Sequence, residues 1–473
     1  MLFVLIVVPF IMAGLVFILP NKRTGILLFI ATALFHLSCV ISFWKKTPQA
    51  QWQNYLSLDV LGLLILSIIS ALFVVVSFYL IAYLKKEEDR SVRLFLICLL
   101  VFLSTMTLVT VSRHLGLLWI AVEATTFFSA ILINFHRAPQ GIEATWKFLL
   151  ICSVGIALAL LGTLFMAVAA TNIKSLLLEE LLSHASSLDV SWLKLSVIFL
   201  LVGYGTKMGL VPMHSWKPDT YGEAPGPVGA LMSGALTSCA FLSILRVGQI
   251  CHQAGQMAFF QSIMLLLGML SLFVASIFIL GQTDFKRMLG YSSIEHMGIL
   301  ALGIGFGGTG FYGSLYHMLN NAFAKGLMFL VAGNLYRQYK TSRAKDIKGV
   351  LRSYPWTGVL LLAGFLCVTG FPPFGTFFSE LMILNAAIMG KHYWFAALFV
   401  LFLAVIFIGI SKIILRMALG VPRDKSLDHP QHESIYLIIP PVILGLIVLI
   451  LGIYMPACVH EALQTASAIF EGQ

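Results

Sequence analysis

Charge is what this chain of 473 residues has least of. Asp, Glu, Lys and Arg together make up 11% of it, where a soluble domain carries about 25%. The chain is 59% hydrophobic, and that balance makes it a polytopic membrane protein. Long polar stretches are missing as well: the longest, Thr171 to Leu193, is too short to bury a core of its own. No Cys-x-x-Cys pair occurs among Cys39, Cys98, Cys152, Cys239, Cys251, Cys367 and Cys458, which argues against iron-sulfur clusters and structural zinc. Nor is there a glycine loop in a strand-to-helix setting to cradle a phosphate, so neither a nucleotide nor any other cofactor or metal is expected on this chain. Acidic residues are scarcer than basic ones, and the formal net charge is +10. The basic residues sit in short loops between apolar runs rather than on one face of a soluble module, so nucleic acid is not an expected partner.

What is there is apolar sequence in membrane-sized pieces. At about 20 residues per span, the runs separate into fourteen candidate transmembrane helices of an all-α fold, with Met1 to Pro20 read as a retained first span. Loops after odd-numbered spans hold 20 Lys and Arg and loops after even-numbered spans hold 7. The positive-inside rule then makes the odd loops cytoplasmic. Both termini are expected outside, on the periplasmic side of the inner membrane if the source is a Gram-negative bacterium.

The segment from Leu201 to Gly234 organises the rest. It carries Lys207 at the centre of an apolar run and is interrupted at Pro212. A cation at mid-bilayer costs roughly 2.5 to 3.5 kcal/mol on insertion scales, and proline removes a backbone hydrogen bond that no water replaces. A buried charge beside a broken helix points to an ion path or substrate site; a structural lysine that pairs two helices is the plainer reading. Other ionisable groups fall inside spans. His36 reads as a satisfied core histidine. Glu123 lies mid-span, with Thr125, Thr126 and Ser129 close by to solvate it. Lys147 lies a turn inside the next span, where snorkelling to the surface and proton transfer are both open readings. His214, Trp216 and Asp219 follow Pro212. In the eighth span Ser233, Thr237 and Ser238 can bond to their own helix. Glu295 and His296 open the tenth. His317, Asn321 and Lys325 recur every four residues of the eleventh and so form one polar stripe. The twelfth is broken at Gly370, Pro372, Pro373 and Gly375, with Glu380 beyond.

The order of these features repeats: Glu123, Lys147 and the broken span with Lys207 are matched by Glu295, Lys325 and the broken span with Glu380, each five spans further on. Five is odd, so the second unit is inserted upside down. This predicts a three-helix segment (1–92), two inverted five-helix repeats (93–250 and 251–416) and a last helix (417–473), the design of transporters with a site between repeats. Six such groups left unpaired would cost on the order of 15 to 20 kcal/mol, so they must be paired or hydrated. A glutamate holds a neighbouring lysine protonated, and separating the two can release the proton.

The runs K-M-G-L-V-P-M-H-S-W-K-P-D, E-A-P-G-P-V, K-R-M-L-G-Y-S-S-I-E-H-M-G and G-F-P-P-F-G-T-F-F-S-E resemble the antiporter-like membrane subunits shared by respiratory complex I, Mrp cation/proton antiporters and group 4 membrane hydrogenases. Within that family, S-S-I-E-H-M-G and the length look most like the hydrogenase-4 component F branch. The resemblance covers roughly Arg93 to Arg416. It implies a proton-translocating subunit with Glu123 and Lys207 as the controlling ion pair, His317 and Lys325 as relays on a central hydrated axis, and Glu380 at the far end. Two departures thin the relay: Ser238 stands where many complex I members have lysine, and Asn321 where some have a second histidine, which leaves Glu295 and His296 as a possible substitute route.

The function expected from this is a proton-conducting subunit of a membrane-bound hydrogenase-like, complex I-related oxidoreductase. It would work in the lipid bilayer beside other membrane and peripheral subunits that hold the redox centres. The alternative is a component of a cation/proton antiporter, moving protons or Na+, or of an inorganic-carbon uptake system. The plainest reading is a membrane anchor whose buried charges only hold helices together.

Overall fold

A computed structural model describes residues 1–19, 21–85, 87–135, 138–421 and 429–470. Among these residues the regular structure is helical, with isolated β-bridges only. Helices α1 (Leu2–Ile18), α2 (Lys22–Lys45) and α3 (Val60–Tyr83) open the chain. They are followed by α4 (Asp89–Val111), α5 (Leu115–Ile133), α6 (Pro139–Ala169), the short α7 (Leu178–Ser183), α8 (Val190–Met208) and α9 (Trp216–Glu223). Next come α10 (Gly226–Leu231), which runs through a π turn at Met232–Leu236 into α11 (Thr237–Gln253), then α12 (Met257–Leu280), α13 (Phe285–Phe306) and α14 (Thr309–Tyr339). The chain closes with α15 (Val350–Ser353), α16 (Pro355–Val368), α17 (Gly375–Met389), α18 (Tyr393–Leu419), α19 (Ile435–Ile453) and α20 (Ala457–Ala468). Part of the basic loop expected after α18 lies outside the described residues.

Ten of these helical segments, with α10 to α11 counted as one, are long and apolar enough to cross a membrane. The protein is therefore a multi-span membrane protein. Helices α13 and α14 are not among the ten, although both are buried along most of their length. They carry Lys286, Glu295, His296, His317, Asn321 and Lys325. The segment Gly226–Gln253 is buried throughout and forms the axis of the bundle, while α2, α18 and α19 lie outermost. Large apolar side chains such as Phe127, Trp146, Leu150 and Trp394 are exposed on the outside, a surface suited to lipid or to partner helices.

Local chemistry sets where helices start and stop. Asp59, Asp189 and Asp284 each accept hydrogen bonds from first-turn N–H groups of α3, α8 and α13, the usual way of satisfying those donors. His36 is buried, with Nδ1 at 2.8 Å from Ser70 and Nε2 at 2.9 Å from Thr107, so it pins α2 to α3 and α4. At the end of the bundle where α3, α5 and α8 begin, Arg246 reaches Asp59 with two N–H groups at 2.5 and 2.6 Å. Arg113 joins them, 3.1 Å from Asp59 and 2.7 Å from Glu179. At the opposite end Asp219 binds both Lys147, at 2.9 Å, and Arg287, at 2.8 Å.

Helical geometry fails at two places deep in the chain. Helix α8 stops at Met208 because Gly209 turns left-handed (φ +84°); residues 210–215, which include the cis Val211–Pro212 bond, lead to α9. Helix α16 stops at Val368, and Gly370 (φ +59°) and the cis Pro372–Pro373 bond precede α17. A Cβ at residue 209 would lie 2.4 Å from Lys217 Cδ, whereas at residue 205 the nearest atom is 3.6 Å away. Gly209→Ala is therefore expected to lower the thermal stability of the detergent-purified chain, by about 1 to 2 kcal/mol from the left-handed backbone alone, with Gly205→Ala as the mild control. Equal melting of the two variants would show that the break is not packed as described.

Candidate functional site

The break after α8 leaves carbonyls without helical partners inside a dry bundle, where each needs a donor. The sequence that follows supplies them. Trp216 Nε1 donates to the Thr206 carbonyl at 2.9 Å, and Lys217 Nζ donates to the Met208 carbonyl at 2.6 Å. Both side chains are fully buried. Held in that last turn, Lys207 points into the bundle, also fully buried, with Nζ 4.9 Å from the centre of the Phe148 ring.

Lys207 Nζ donates to Thr126 Oγ1 at 2.7 Å, and Thr126 in turn donates to Glu123 Oε2 at 3.3 Å. The expected Glu123–Lys207 pair is thus not in direct contact; a threonine hydroxyl stands between the charges. One donor and two lone pairs allow a hydroxyl to accept from the ammonium while donating to the carboxylate. Thr125 and Ser129 do not share this role, since they bond to carbonyls of their own helix. Glu123 is only partly buried, and its other oxygen accepts from Ser153, at 3.2 Å, on the exposed face of α6. Thr126→Val should slow proton movement by about tenfold or more, short of the roughly 10²- to 10⁴-fold that a proton-transfer group itself contributes, while Thr126→Ser keeps it. Equal rates for the two variants would remove the hydroxyl from the path.

The same arrangement recurs on α13 and α14. Lys325 Nζ donates to Ser292 Oγ at 2.6 Å, and Ser292 donates to Glu295 Oε2 at 3.1 Å, all three buried. Beyond it lie two histidines. His296 Nδ1 is 2.9 Å from His317 Nε2, and His317 Nδ1 is 2.8 Å from Ser379 Oγ. Ser379 spends its own hydrogen on the Thr376 carbonyl, so it must accept from His317 Nδ1–H. His317 Nε2 then accepts from His296 Nδ1–H. His296 Nε2, buried and without a hydrogen-bond partner, is left as the open end of this chain. Glu380 stands next to it: donor atoms of His296, His317 and Glu380 lie within 4.8 Å of one another, a set of residues that could close on a proton or hold a metal cation. Glu380 also packs against Gly370, where a Cβ would come within 2.1 Å of its carboxylate, and it lines a cavity of about 560 Å³ that opens beside α18.

The remaining sequence candidates are more dispersed. Lys147 is half-exposed, held by Glu143 at 2.7 Å and by Asp219. His214 sits in the connection after Pro212 and is 3.1 Å from the Pro212 carbonyl. Ser238 donates to the Gly234 carbonyl within its own helix. Asn321 is buried on the stripe with His317 and Lys325, and its Oδ1 has no partner. Pro372 and Pro373 lie in the connection ahead of Glu380.

Three further cations are buried in the bundle. Lys217 is one. Lys286 donates to the Ala224 carbonyl at 2.8 Å and so closes the end of α9. Arg246 is the third, paired with Asp59. Lys217 follows the Gly209 break by eight residues and Lys286 closes a carbonyl 62 positions away, so neither contact is marked locally in the sequence.

These features define a class: a polytopic helical membrane protein with two interrupted helices, two separate lysine–hydroxyl–glutamate clusters and a buried histidine pair. The family model for NADH:quinone oxidoreductase/Mrp antiporter, TM, matches residues 112–407, and the chain belongs to that family. The hydrogenase-4 component F homolog of Methylacidiphilum infernorum (isolate V4) is 32% identical over 372 residues, 77% of this chain and 77% of that one. Na(+)/H(+) antiporter subunit A1 of Staphylococcus haemolyticus (strain JCSC1435) is 29% identical over 461 residues, covering 92% of this chain and 56% of that longer protein. Among solved structures, a chain of the Mrp complex from Dietzia sp. DQ12-45-1b matches with a TM-score of 0.89 at 19% identity, over 99% of this chain and 97% of that one. That last likeness concerns the fold.

Proposed function

We propose that this chain is the proton-translocating, antiporter-like subunit of a membrane-bound, hydrogenase-like oxidoreductase related to complex I. The observation that carries this reading is the lysine–hydroxyl–glutamate arrangement, found once at Lys207, Thr126 and Glu123 and again at Lys325, Ser292 and Glu295. Each is a fixed three-point contact through which a proton can pass without a charge crossing open hydrocarbon. In this reading fourteen segments cross the inner membrane of a bacterium, with both termini outside. Segments four to eight and nine to thirteen form two inverted units, and α8–α9 and α16–α17 are their interrupted members. Protons enter one unit, pass along the central file and leave near Glu380.

Partner subunits supply the redox chemistry, and the family's solved relatives belong to multi-subunit membrane complexes. Glu123 gives a reason to expect one such partner against α5 and α6. A carboxylate that reaches an otherwise apolar outer face is costly against lipid and acceptable against a protein that offers a donor. A second reading, a subunit of a sodium/proton antiporter, is favoured by the likeness to the staphylococcal protein along most of this chain.

Purification from native membranes through a tag on this chain separates the two. Copurifying nickel-site and iron-sulfur subunits support the first reading. Partners without redox centres, together with proton uptake that requires sodium, overturn it in favour of the second.

A further inference from the structure

The buried file has a gap in its middle. From Gly226 to Leu245 the central segment offers no acid or base except Cys239, and its hydroxyls are turned inward: Ser233, Thr237 and Ser238 each donate to a carbonyl of the same segment. Its one strong cation, Arg246, is committed to Asp59 at the end of the bundle. Lys207 and Lys325 therefore belong to two separate clusters, and nothing on the axis helix joins them.

Lys217 lies between them. Its side chain is fully buried, although it follows a connection rich in loop residues. Aromatic rings mark its place on both sides. Lys207 Nζ is 4.9 Å from the Phe148 ring, which lies 5.0 Å from Trp216, the neighbour of Lys217. On the other side Lys217 Nζ is 5.9 Å from the Tyr221 ring, which lies 5.2 Å from Phe329, one turn along α14 from Lys325. The space between is polar without being closed. Thr220 Oγ1 and Asn321 Oδ1 are buried and lack hydrogen-bond partners, while the buried Tyr221 and Ser293 hydroxyls have only each other. An orphaned polar atom in a dry core costs about 1 to 3 kcal/mol, a cost that held water removes.

We propose that Lys217 is the proton-carrying site that joins the two clusters, taking over at the helix break the connection that the axis helix does not provide. The proposal rests on the proton-carrier reading above. One of the three ammonium N–H groups is held by the Met208 carbonyl, which leaves two for water. In the transfer, an N–H bond of one lysine ammonium breaks and its proton passes through water to the lone pair of the next, neutral lysine. The donor becomes an amine and the acceptor an ammonium, so charge is conserved at each step. Like charges repel at this range, and a proton arriving at one lysine drives its neighbour's proton onward.

The alternative role, a fixed cap on α8, predicts a different outcome for the right substitutions. Lys217→Gln and Lys217→Arg both retain an N–H for the Met208 carbonyl, but glutamine carries no proton charge and arginine does not release one. The test uses the intact complex purified through this chain and placed in liposomes loaded with pyranine, with a potential imposed by potassium and valinomycin. The expected result is an intact complex, judged by size and melting, whose proton uptake falls at least about tenfold in both variants, with partial return in Lys217→His. Wild-type uptake in either the Gln or the Arg variant overturns the inference, as does failure of both variants to assemble. No uptake by the unmodified complex overturns the proton-carrier reading itself, so the two failures are distinguishable.

Discussion

Lys207→Met is expected to stop proton movement, with a fall of about 100-fold or more, in a complex that still assembles. Methionine is close in length to the lysine stem and apolar, so it keeps the packing against Phe148 while removing the charge. Thr126 then loses its ammonium donor but can still donate to Glu123, so no buried acceptor is stranded. A folded bundle in which one transfer step has lost its donor is the result. Glu123→Gln should behave alike, because it keeps the hydrogen bond from Thr126 and removes the proton acceptor. The comparison that decides is Lys207→Arg. Arginine keeps the charge and can still hold two helices together, but it does not give up a proton. If the lysine only pairs helices, the arginine variant keeps full rate; if it carries protons, that variant is as slow as the methionine variant. Loss of assembly in all three would support a purely structural lysine.

The largest effect on stability is expected at the other charged cluster. Arg246→Met removes the bidentate partner of Asp59 and leaves it with Arg113 alone, so the cost is expected near the lower end of the about 3 to 5 kcal/mol for breaking a buried pair from one side, still a large share of the roughly 5 to 15 kcal/mol that holds a typical domain together. Asp59 is also the N-cap of α3, bonded to the Gly62 N–H at 2.9 Å. Burial alone would raise its carboxyl, but the guanidinium charges of Arg246 and Arg113 outweigh that and hold it well below the usual carboxylate range. A depressed carboxylate stabilises the fold above its ordinary pKa, and the contribution fades as pH falls toward the depressed value. Asp59→Asn should therefore lower the melting temperature at neutral pH, with the difference from wild type narrowing in strong acid. The double variant Asp59→Leu/Arg246→Leu should melt above Arg246→Met, because no lone charge remains in the interior. A double variant that is the least stable of the set would contradict this account. Any complex that does assemble from these variants should still carry protons at near the normal rate, which separates this cluster from the Lys207 file.

The two clusters differ in how far the sequence exposed them. Glu123, Lys207, Glu295 and Lys325 stood out because a charge in the middle of an apolar run is costly wherever it occurs, so single residues carried the signal. The hydroxyls needed more. Thr126 was marked as a neighbour of Glu123, but nothing in the chain separates it from Thr125 and Ser129; only the helix rotation sends Thr126 toward Lys207 and turns the other two back to their own carbonyls. The contact between His296 and His317 joins residues 21 positions apart on antiparallel neighbours, and no spacing in the sequence encodes it.

Lys217, Lys286 and Arg246 were hidden for the opposite reason. Lys217 and Lys286 follow polar or glycine-bearing connections, where a cation reads as part of a loop, and Arg246 follows an apolar run, where it reads as a charge flanking a span. All three are buried, and they close carbonyls or pair with a carboxylate that the linear pattern does not place beside them. Lys147 shows the converse: counted among the buried groups, it lies half-exposed at the end of α6, between two carboxylates. Helices α13 and α14 carry polar residues that keep them out of the ten helical segments long and apolar enough to cross a membrane, although both are buried along most of their length.

Proton uptake by liposomes that contain the purified complex, driven by an imposed potential in sodium-free buffer, tests most directly whether the buried lysines and glutamates carry protons. The expected result is internal acidification in the unmodified complex and its loss in both Lys207→Met and Lys325→Met, with all subunits present. Acidification that continues at the unmodified rate in either assembled variant would contradict it.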